Sequence, residues 1–264
     1  MAESKNKDST GRTLLVVLIL CLVCSVVVSG AAVGLKPRQE SQKALDKQRN
    51  ILSVTGLLAP GMADETVQET FDNQVTPRLL NLKTGKLLEQ NPATFNPVLA
   101  ARDPNQNTVL SGNQDPAGIR TRANVVEIYL VRDSNKQLRE IVLPVYGTGL
   151  WSVMHAFVAL EPDGSTVKGI TYYDHGETPG LGGEIENPAW RAQWVGKKLL
   201  DDGGRPAMRI VKGGARPGDE HAVDGLSGAT LTANGVQHSF DFWLGDLGFG
   251  PFLKQVREGA LNNG

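Results

Sequence analysis

The most informative segment of this 264-residue chain is Asp224-Gly225-Leu226-Ser227-Gly228-Ala229-Thr230, which continues as Leu231-Thr232. It follows an extended stretch, 208–212, and precedes an amphipathic pattern that predicts a helix over 232–244. The Thr230 hydroxyl is therefore expected beside the unpaired N–H groups of a helix N-terminus, whose partial positive charge suits a phosphate. Such an end contributes only about 0.3–1 kcal/mol at an exposed site, so it orients a phosphate without holding a nucleotide tightly. A covalent bond through Thr230 would hold one.

The same residues also suit an ordinary helix start. The hydroxyl of Thr232 is a suitable N-cap, since it can accept a hydrogen bond from the first turn, and Gly228 can take a backbone angle that other residues avoid. On the residues alone, a phosphate site and a plain capped helix both remain open.

The pattern Asp-x-x-Ser-Gly-Ala-Thr resembles the flavinylation motif of the FMN-binding domain family. In that family a flavin transferase esterifies FMN onto the last threonine through the phosphate of the cofactor. The resemblance implies that Thr230 is the attachment residue, with Asp224, Ser227, Gly228 and Ala229 completing the motif. Because a threonine hydroxyl is a poor nucleophile without a base, we expect Asp224 to serve attachment, by positioning the loop or by helping the transferase deprotonate Thr230.

The wider chain resembles the C subunits of bacterial sodium-translocating NADH:quinone oxidoreductases. The similarity spans nearly the whole length and is carried by the apolar N-terminal span and by the segments 50–57, 147–151 and 175–182. It implies a covalent FMN that relays electrons from NADH towards ubiquinone, coupled to Na⁺ export, with no catalytic residue in this chain. The implied partners are NADH-oxidising and membrane flavin subunits and, during maturation, a flavin transferase.

Further flavin contacts are expected in the loop 177–183. Its proline fixes the backbone and its glycines let the chain approach a flat ligand closely. Together with the resemblance, this predicts Glu177, Thr178, Gly180 and Leu181 as cofactor-binding residues. The alternative for this segment is a tight loop that joins a strand to a helix.

Two residues outside that loop are also predicted to bind the flavin. The charge of Lys212 is expected to offset the phosphate or an anionic reduced flavin, and the ring of Trp151 is expected to shield the isoalloxazine. A solvated lysine and a core tryptophan are the alternatives for these two positions.

The N-terminal region predicts one membrane anchor. The 22 positions from Leu14 to Leu35 contain no charge and would span about 33 Å as a helix, close to the hydrocarbon thickness of a bilayer. A cleaved signal ending at 29–31 is the alternative. Basic residues on both sides favour a cytoplasmic domain by the positive-inside rule, although that rule weakens for long domains. The resemblance implies the periplasm and a bacterial inner-membrane anchor, and we expect that orientation.

The remaining sequence predicts an α+β fold. Two strands are expected within 124–146, a hairpin over 153–160 and 167–173, and helices over 64–74 and after Asn187-Pro188. The predicted organisation is a cytoplasmic tail (1–12), a transmembrane helix (13–35), a juxtamembrane helix (36–58), a loop-rich small lobe (59–123), an FMN-binding domain with an antiparallel sheet and packed helices (124–258) and a C-terminal tail (259–264).

Several function classes are disfavoured. The residues after position 49 include 19 basic and 24 acidic side chains, which argues against nucleic-acid binding. The sequence has no dinucleotide fingerprint and no Gly-x-Ser-x-Gly elbow, which disfavours NADH binding by this chain and a serine hydrolase. The histidines lack metal-ligand spacing, so no metal is expected. Both cysteines, Cys21 and Cys24, lie within the apolar span, where small apolar residues are the simplest interpretation.

Two rival functions stay open from the sequence. One is the FMN subunit of an Rnf-type electron-transport complex, which shares the motif; the run 147–151 and the long segment 76–115 favour the sodium pump over it. The other is an anchored binding or assembly protein without a cofactor, in which 227–232 merely caps a helix.

Overall fold

The computed structural model describes residues 10–261, so parts of the two predicted tails, 1–9 and 262–264, lie outside the described residues. The chain divides into two units, 1–47 and 48–264. The helices are α1 (Thr10–Val54), α2 (Asp64–Gln74), α3 (Pro97–Arg102), α4 (Pro188–Ala192), α5 (Thr230–Trp243) and α6 (Gly250–Arg257). The strands are β1 (Val75–Asn81), β2 (Lys86–Leu88), β3 (Asn107–Val109), β4 (Thr121–Ala123), β5 (Val125–Arg132), β6 (Leu138–Thr148), β7 (Val153–Leu160), β8 (Val167–Asp174), β9 (Arg209–Val211) and β10 (Ala222–Asp224).

The first helix, α1, is continuous over 45 residues and includes Pro37. No break separates the predicted transmembrane helix from the predicted juxtamembrane helix, and the helix ends at Val54 rather than at residue 58. The segment beyond Pro37 stays helical because it is rich in strong helix formers, including glutamine, lysine and alanine. An 18-residue window with a mean hydropathy of 3.0 makes α1 apolar enough to cross a membrane, by length and composition. The helix thus suits a single-pass anchor.

The central element is a six-stranded antiparallel sheet in the order β2-β1-β5-β6-β7-β8. Both predicted hairpins are confirmed, with β7 at the predicted positions and β8 one residue longer than predicted. In the β7–β8 turn, Oδ1 of Asp163 accepts hydrogen bonds from the N–H groups of Ser165 and Thr166, and Gly164 has a φ of +70°. The turn sequence Pro162-Asp163-Gly164 suits this geometry, since proline, aspartate and glycine are typical turn residues.

The predicted small lobe, 59–123, is wrong at its N-terminal end. Strand β1 pairs with β5 along its whole length and belongs to the main sheet, with Leu79 and Leu80 buried. The sequence obscured this strand because Pro77 lacks an N–H donor. The short strand β2 pairs only with residues 79–81 of β1. The side of β1 that faces β2 therefore has no strand partner at Pro77, and a proline is tolerated there. Only residues 89–123 keep the predicted loop-rich character, with short elements and the hairpin β3–β4.

Both faces of the sheet are covered. Ile141, Leu143 and Val145 on one face of β6 share a buried core with Val236 and Phe240 of α5. The opposite face carries Tyr129, whose ring lies 6.4 Å from the Phe71 ring of α2 and 5.8 Å from the Phe157 ring of β7. The last turn of α1 also packs here, because a Cβ on Gly169 of β8 would lie 2.5 Å from the carbonyl oxygen of Val54. The sheet therefore forms the rigid base on which α5 and its N-terminal loop rest.

Candidate functional site

The helix α5 begins at Thr230, two residues earlier than predicted. Ala229 occupies the N-cap position with φ −129° and ψ 50°, and no side chain caps this end. The proposed Thr232 cap is wrong, because the Thr232 hydroxyl donates a 2.5 Å hydrogen bond to Oε2 of Glu177 and is buried. The first N–H groups of α5 are therefore left without a side-chain acceptor, beside the exposed Thr230 hydroxyl.

Thr230 opens onto a cavity of about 460 Å³ between the loop after β9, the β10–α5 loop and the first turns of α5. This size lies within the range usual for cofactor sites. The cavity brings together five sequence-predicted residues, which are Lys212, Asp224, Ser227, Gly228 and Thr230. Ala229 is buried beneath it.

Several residues that line the cavity were not predicted from the sequence. Ala233 and Asn234 line it because they follow Thr230 by three and four residues on one face of α5, a spacing that could have identified them. Gly213 and Gly214 form the opposite wall with φ values of +85° and +103°. Leu226 also lines the cavity and lies inside the motif 224–230 itself. Ile210, by contrast, carries no local sequence signal, since the packing of β9 against α5 brings it to the cavity.

Asp224 is held from three sides. Its backbone carbonyl accepts a 2.7 Å hydrogen bond from the indole of Trp190, and its N–H donates to the side chain of Gln193 at 2.9 Å. Its Oδ1 accepts a 2.7 Å hydrogen bond from the N–H of Ala215. The carboxylate therefore fixes the loop that follows β9 next to Thr230. Trp190 of α4 and Trp194, which lies beyond the end of α4 at Ala192, are both buried in the core.

The loop 177–183 comes close to the cavity at Gly228, which faces the side chain of Leu181. Gly228 has a φ of +73°, and a Cβ placed on it would lie 3.2 Å from Cδ2 of Leu181. Two hydrogen bonds close the turn within this loop. The Thr178 carbonyl accepts them from the N–H groups of Leu181 at 3.1 Å and Gly183 at 2.9 Å. Gly180 has a φ of +74°, a conformation that favours glycine. The apolar side chain of Leu181 is 45% exposed beside the cavity mouth.

Trp151 contacts this loop at its first residue, Glu177. The indole of Trp151 is 70% exposed, so the core alternative for this residue is wrong. The backbone N–H of Trp151 donates a 2.9 Å hydrogen bond to Oε1 of the buried Glu177. Burial opposes ionisation of Glu177, but the hydrogen bonds from Thr232 and from the N–H groups of the turn 150–152 outweigh it and lower its pKa. Glu177 is therefore an ionised carboxylate enclosed by protein.

Among residues 10–261, no group of three His, Cys, Asp or Glu side chains is arranged to hold a metal ion. The predicted site residues thus form two adjoining groups: the cavity around Thr230, and the loop 177–183 with Trp151. An uncapped helix end, an exposed hydroxyl, a basic side chain and flanking apolar groups suit a phosphate-bearing, flat aromatic ligand. FMN is such a ligand.

Comparisons with known proteins agree with this geometry. Residues 149–245 match the FMN-binding domain family. The chain is 66% identical to the C subunit of the Na(+)-translocating NADH-quinone reductase of Yersinia pestis, over 99% of this chain and 98% of that protein. It is 54% identical to the corresponding protein of Vibrio anguillarum, over 98% of this chain and 100% of that protein.

A solved structure, NqrC of Shewanella oneidensis, matches with a TM-score of 0.75 and 42% identity, covering 82% of this chain and 99% of that one. The chain therefore belongs to the family of Na(+)-translocating NADH-quinone reductase C subunits.

Proposed function

We propose that this chain holds FMN covalently on Thr230 and carries electrons within a sodium-translocating NADH:quinone oxidoreductase. One observation carries the attachment: the exposed Thr230 hydroxyl stands at an uncapped helix N-terminus inside a cavity of about 460 Å³. The relatives are named as components of a sodium-translocating NADH-quinone reductase, which supports the assignment of the complex over the Rnf-type and cofactor-free alternatives.

When bound, FMN supplies the redox chemistry, and the residues of this chain bind and orient it. The Thr230 Oγ would carry the phosphoester bond in place of its hydrogen. The N–H groups at the start of α5 would hold the phosphate, because the helix dipole there favours negative charge. Lys212 in the cavity wall supplies a positive charge, while Leu181 and Trp151 offer apolar surface to the flavin rings. No acid or base is needed for electron relay.

Asp224 is proposed to act in maturation. Its carboxylate holds Ala215 and faces the same cavity as Thr230, so it shapes the loop that a flavin transferase must engage. Asp224→Asn should slow flavinylation, as followed by intact mass over time with the transferase present. A normal rate in this variant would remove the proposed role.

The attachment is tested by the intact mass of the denatured protein, purified from a host with the flavin transferase. Wild-type protein should gain the mass of FMN less one water, and Thr230→Ala should gain none. Thr76→Ala, an exposed threonine in β1, is the matched control and should gain the full mass. An unmodified wild-type chain despite an active transferase would leave an anchored binding protein as the better function.

We also propose that residues after α1 lie in the periplasm of a bacterium, with α1 crossing the inner membrane. The test replaces Cys21 and Cys24 of α1 by serine and introduces Lys83→Cys on the exposed β1–β2 turn. A membrane-impermeant maleimide should label this cysteine in intact spheroplasts. Labelling that appears only after lysis would place the domain in the cytoplasm.

The proposed partners are the NADH-oxidising and membrane flavin subunits of the same complex. The chain, tagged at its C-terminus and solubilised from membranes, should co-purify with a protein that oxidises NADH. Co-purification with an Rnf-type assembly instead would favour that alternative.

A further inference from the structure

Glu177 is a buried carboxylate that joins three segments of the chain. Its Oε1 accepts a 2.9 Å hydrogen bond from the N–H of Trp151 in the β6–β7 turn. Its Oε2 accepts a 2.5 Å hydrogen bond from the hydroxyl of Thr232 in the first turn of α5. The third segment is its own loop, 177–183. Each oxygen thus accepts a hydrogen bond from the protein, and because the residue is only 5% exposed, Glu177 is enclosed by the chain rather than open to a ligand.

Two glycines make room for this carboxylate. A Cβ on Gly149 would lie 2.5 Å from Oε1 of Glu177. A Cβ on Gly182 would lie 2.7 Å from Oε2 and 2.5 Å from the Thr232 hydroxyl oxygen. Neither glycine has a positive φ, so the space, and not the backbone angle, accounts for glycine at both positions. The surrounding backbone is built to fit a carboxylate at this point.

The segments that Glu177 joins present exposed apolar side chains. Leu150 is 47% exposed and Trp151 is 70% exposed in the β6–β7 turn, while Leu181 is 45% exposed in the loop 177–183. Because these side chains are largely exposed, packing does little to hold them. The backbone N–H of Trp151 is bound to Glu177, and a second bond joins the Gly176 N–H to the Ser152 hydroxyl. Glu177 therefore helps to set the position of the β6–β7 turn.

We propose that Glu177 is a positioning residue, which fixes the β6–β7 turn against the first turn of α5 and thereby sets where Trp151 stands relative to a flavin on Thr230. The consequence for the flavin rests on the proposed function, whereas the fixing of the turn is a property of the chain alone. Glu177 also brings a negative charge to the end of α5 that bears Thr230. That charge disfavours the added negative charge of a reduced flavin.

The first test is made on the full chain carrying Thr230→Ala, so that no flavin is attached. Amide hydrogen exchange at Trp151 is measured by NMR in detergent. Glu177→Ala removes the acceptor and should lower protection at Trp151 by about tenfold or more, because a hydrogen bond to a charged group is lost. Glu177→Gln keeps an acceptor for Trp151 and a donor for Thr232, so protection should stay close to that of the parent.

The control and a milder variant complete this test. Glu186→Gln removes a charge from the same region, where Glu186 is exposed and faces His175, and should leave Trp151 unchanged. Thr232→Val removes one of the two bonds and should lower protection by less than Glu177→Ala. The Thr232→Val variant still tests the proposal if Glu177→Ala fails to fold. Equal exchange at Trp151 in the parent, Glu177→Ala and Thr232→Val would overturn the proposal.

The second test uses the flavinylated chain with Thr230 intact. Glu177→Gln should raise the midpoint potential of the flavin measured by spectroelectrochemistry, while Glu186→Gln should shift it less. A purely structural role would leave the Glu177→Gln potential unchanged, and that result would overturn the electrostatic part of the proposal. If no flavin attaches at all, the proposed function fails by mass, whereas the exchange test still decides the role of Glu177 in the turn.

Discussion

At the scale of single residues, two threonines in the first turn of α5 have opposite surroundings. Thr230 is exposed on the cavity, whereas Thr232 is 1% exposed and bound to Glu177. The backbone conformation at Gly228, with φ +73°, directs the chain into the helix so that Thr230 faces outward. The chemistry therefore depends on which of two similar residues the backbone turn exposes.

Gly228→Ala should destabilise the fold and slow flavinylation. A non-glycine residue in the left-handed region costs about 1–2 kcal/mol, and the new Cβ would lie 3.2 Å from the Leu181 side chain. Gly61→Ala is the matched control, since Gly61 has the same φ of +73° with nothing within 4 Å of a Cβ. Thermal unfolding should show a similar loss for both variants, while intact mass over time should show slower flavinylation only for Gly228→Ala. Equal flavinylation rates in Gly228→Ala and Gly61→Ala would show that the backbone at Gly228 does not affect attachment.

Glu177 should make stability depend on pH in a defined direction. Its pKa is lowered in the folded chain from the ordinary value of 4.5, so ionised Glu177 stabilises the fold above that value. The stabilisation should be lost as the pH falls through the lower, folded-state pKa. Urea unfolding of wild type and Glu177→Gln should differ at neutral pH and converge as the pH is lowered below 4.5. A difference that grows with acidity would show that the sign is wrong.

At the scale of elements, α5 joins the site to the core. Its first turn faces the cavity, and its later turns bury Val236, Phe240 and Trp243 against the sheet. The Trp243 indole donates a 2.7 Å hydrogen bond to the carbonyl of Tyr146 on β6. Because the helix is anchored along its length, the position of Thr230 is set by core packing several turns away.

Phe240→Ala should therefore reduce the stability of the whole domain. Truncating a fully buried phenylalanine costs about 3–5 kcal/mol of unfolding free energy, and Phe240 is 1% exposed. Leu231→Ala, at a position 60% exposed on the same helix, is the control and should change stability by less than about 0.5 kcal/mol. Urea denaturation followed by tryptophan fluorescence measures both. A small effect at Phe240 would mean that α5 is not held by the core.

At the scale of the whole molecule, residues 48–264 form one compact unit. The core that joins the sheet to α5 and α6 is drawn from residues 80–256, all within that unit. The last turns of α1 also belong to it, with Ile51 and Leu52 fully buried. The boundary of the folded domain thus lies inside α1 and well before the predicted start at residue 124.

A fragment of residues 48–264 should fold without the apolar span. It should unfold in one cooperative transition by circular dichroism and tryptophan fluorescence, because its core is complete. A fragment of residues 124–258, the predicted domain, should be unstable, since it lacks β1 and the helices that cover one sheet face. Equal stability of the two fragments would contradict the boundary inside α1.

The sequence by itself determined the local elements, and it predicted the residue to which the proposed flavin is attached. Alternating apolar residues and turn residues predicted the hairpins β5–β6 and β7–β8, because strand periodicity and turn geometry are local properties. The motif 224–230 identified Thr230, since residues that prepare one hydroxyl lie close together in the chain. The uncharged stretch from Leu14 to Leu35 predicted the apolar helix for the same reason.

Only the tertiary structure decided how distant segments meet. The place of β1 in the sheet depends on its pairing with β5, in which Val75 lies opposite Val131, 56 positions further along the chain. The bond between Glu177 and Thr232 spans 55 positions, so no local pattern reports it. Such contacts form only when distant segments pack together in the core, and neither segment shows a periodic sequence pattern that would predict the contact. The core packing thus decides that Thr232 is buried against a carboxylate and that Thr230 is left exposed on the cavity.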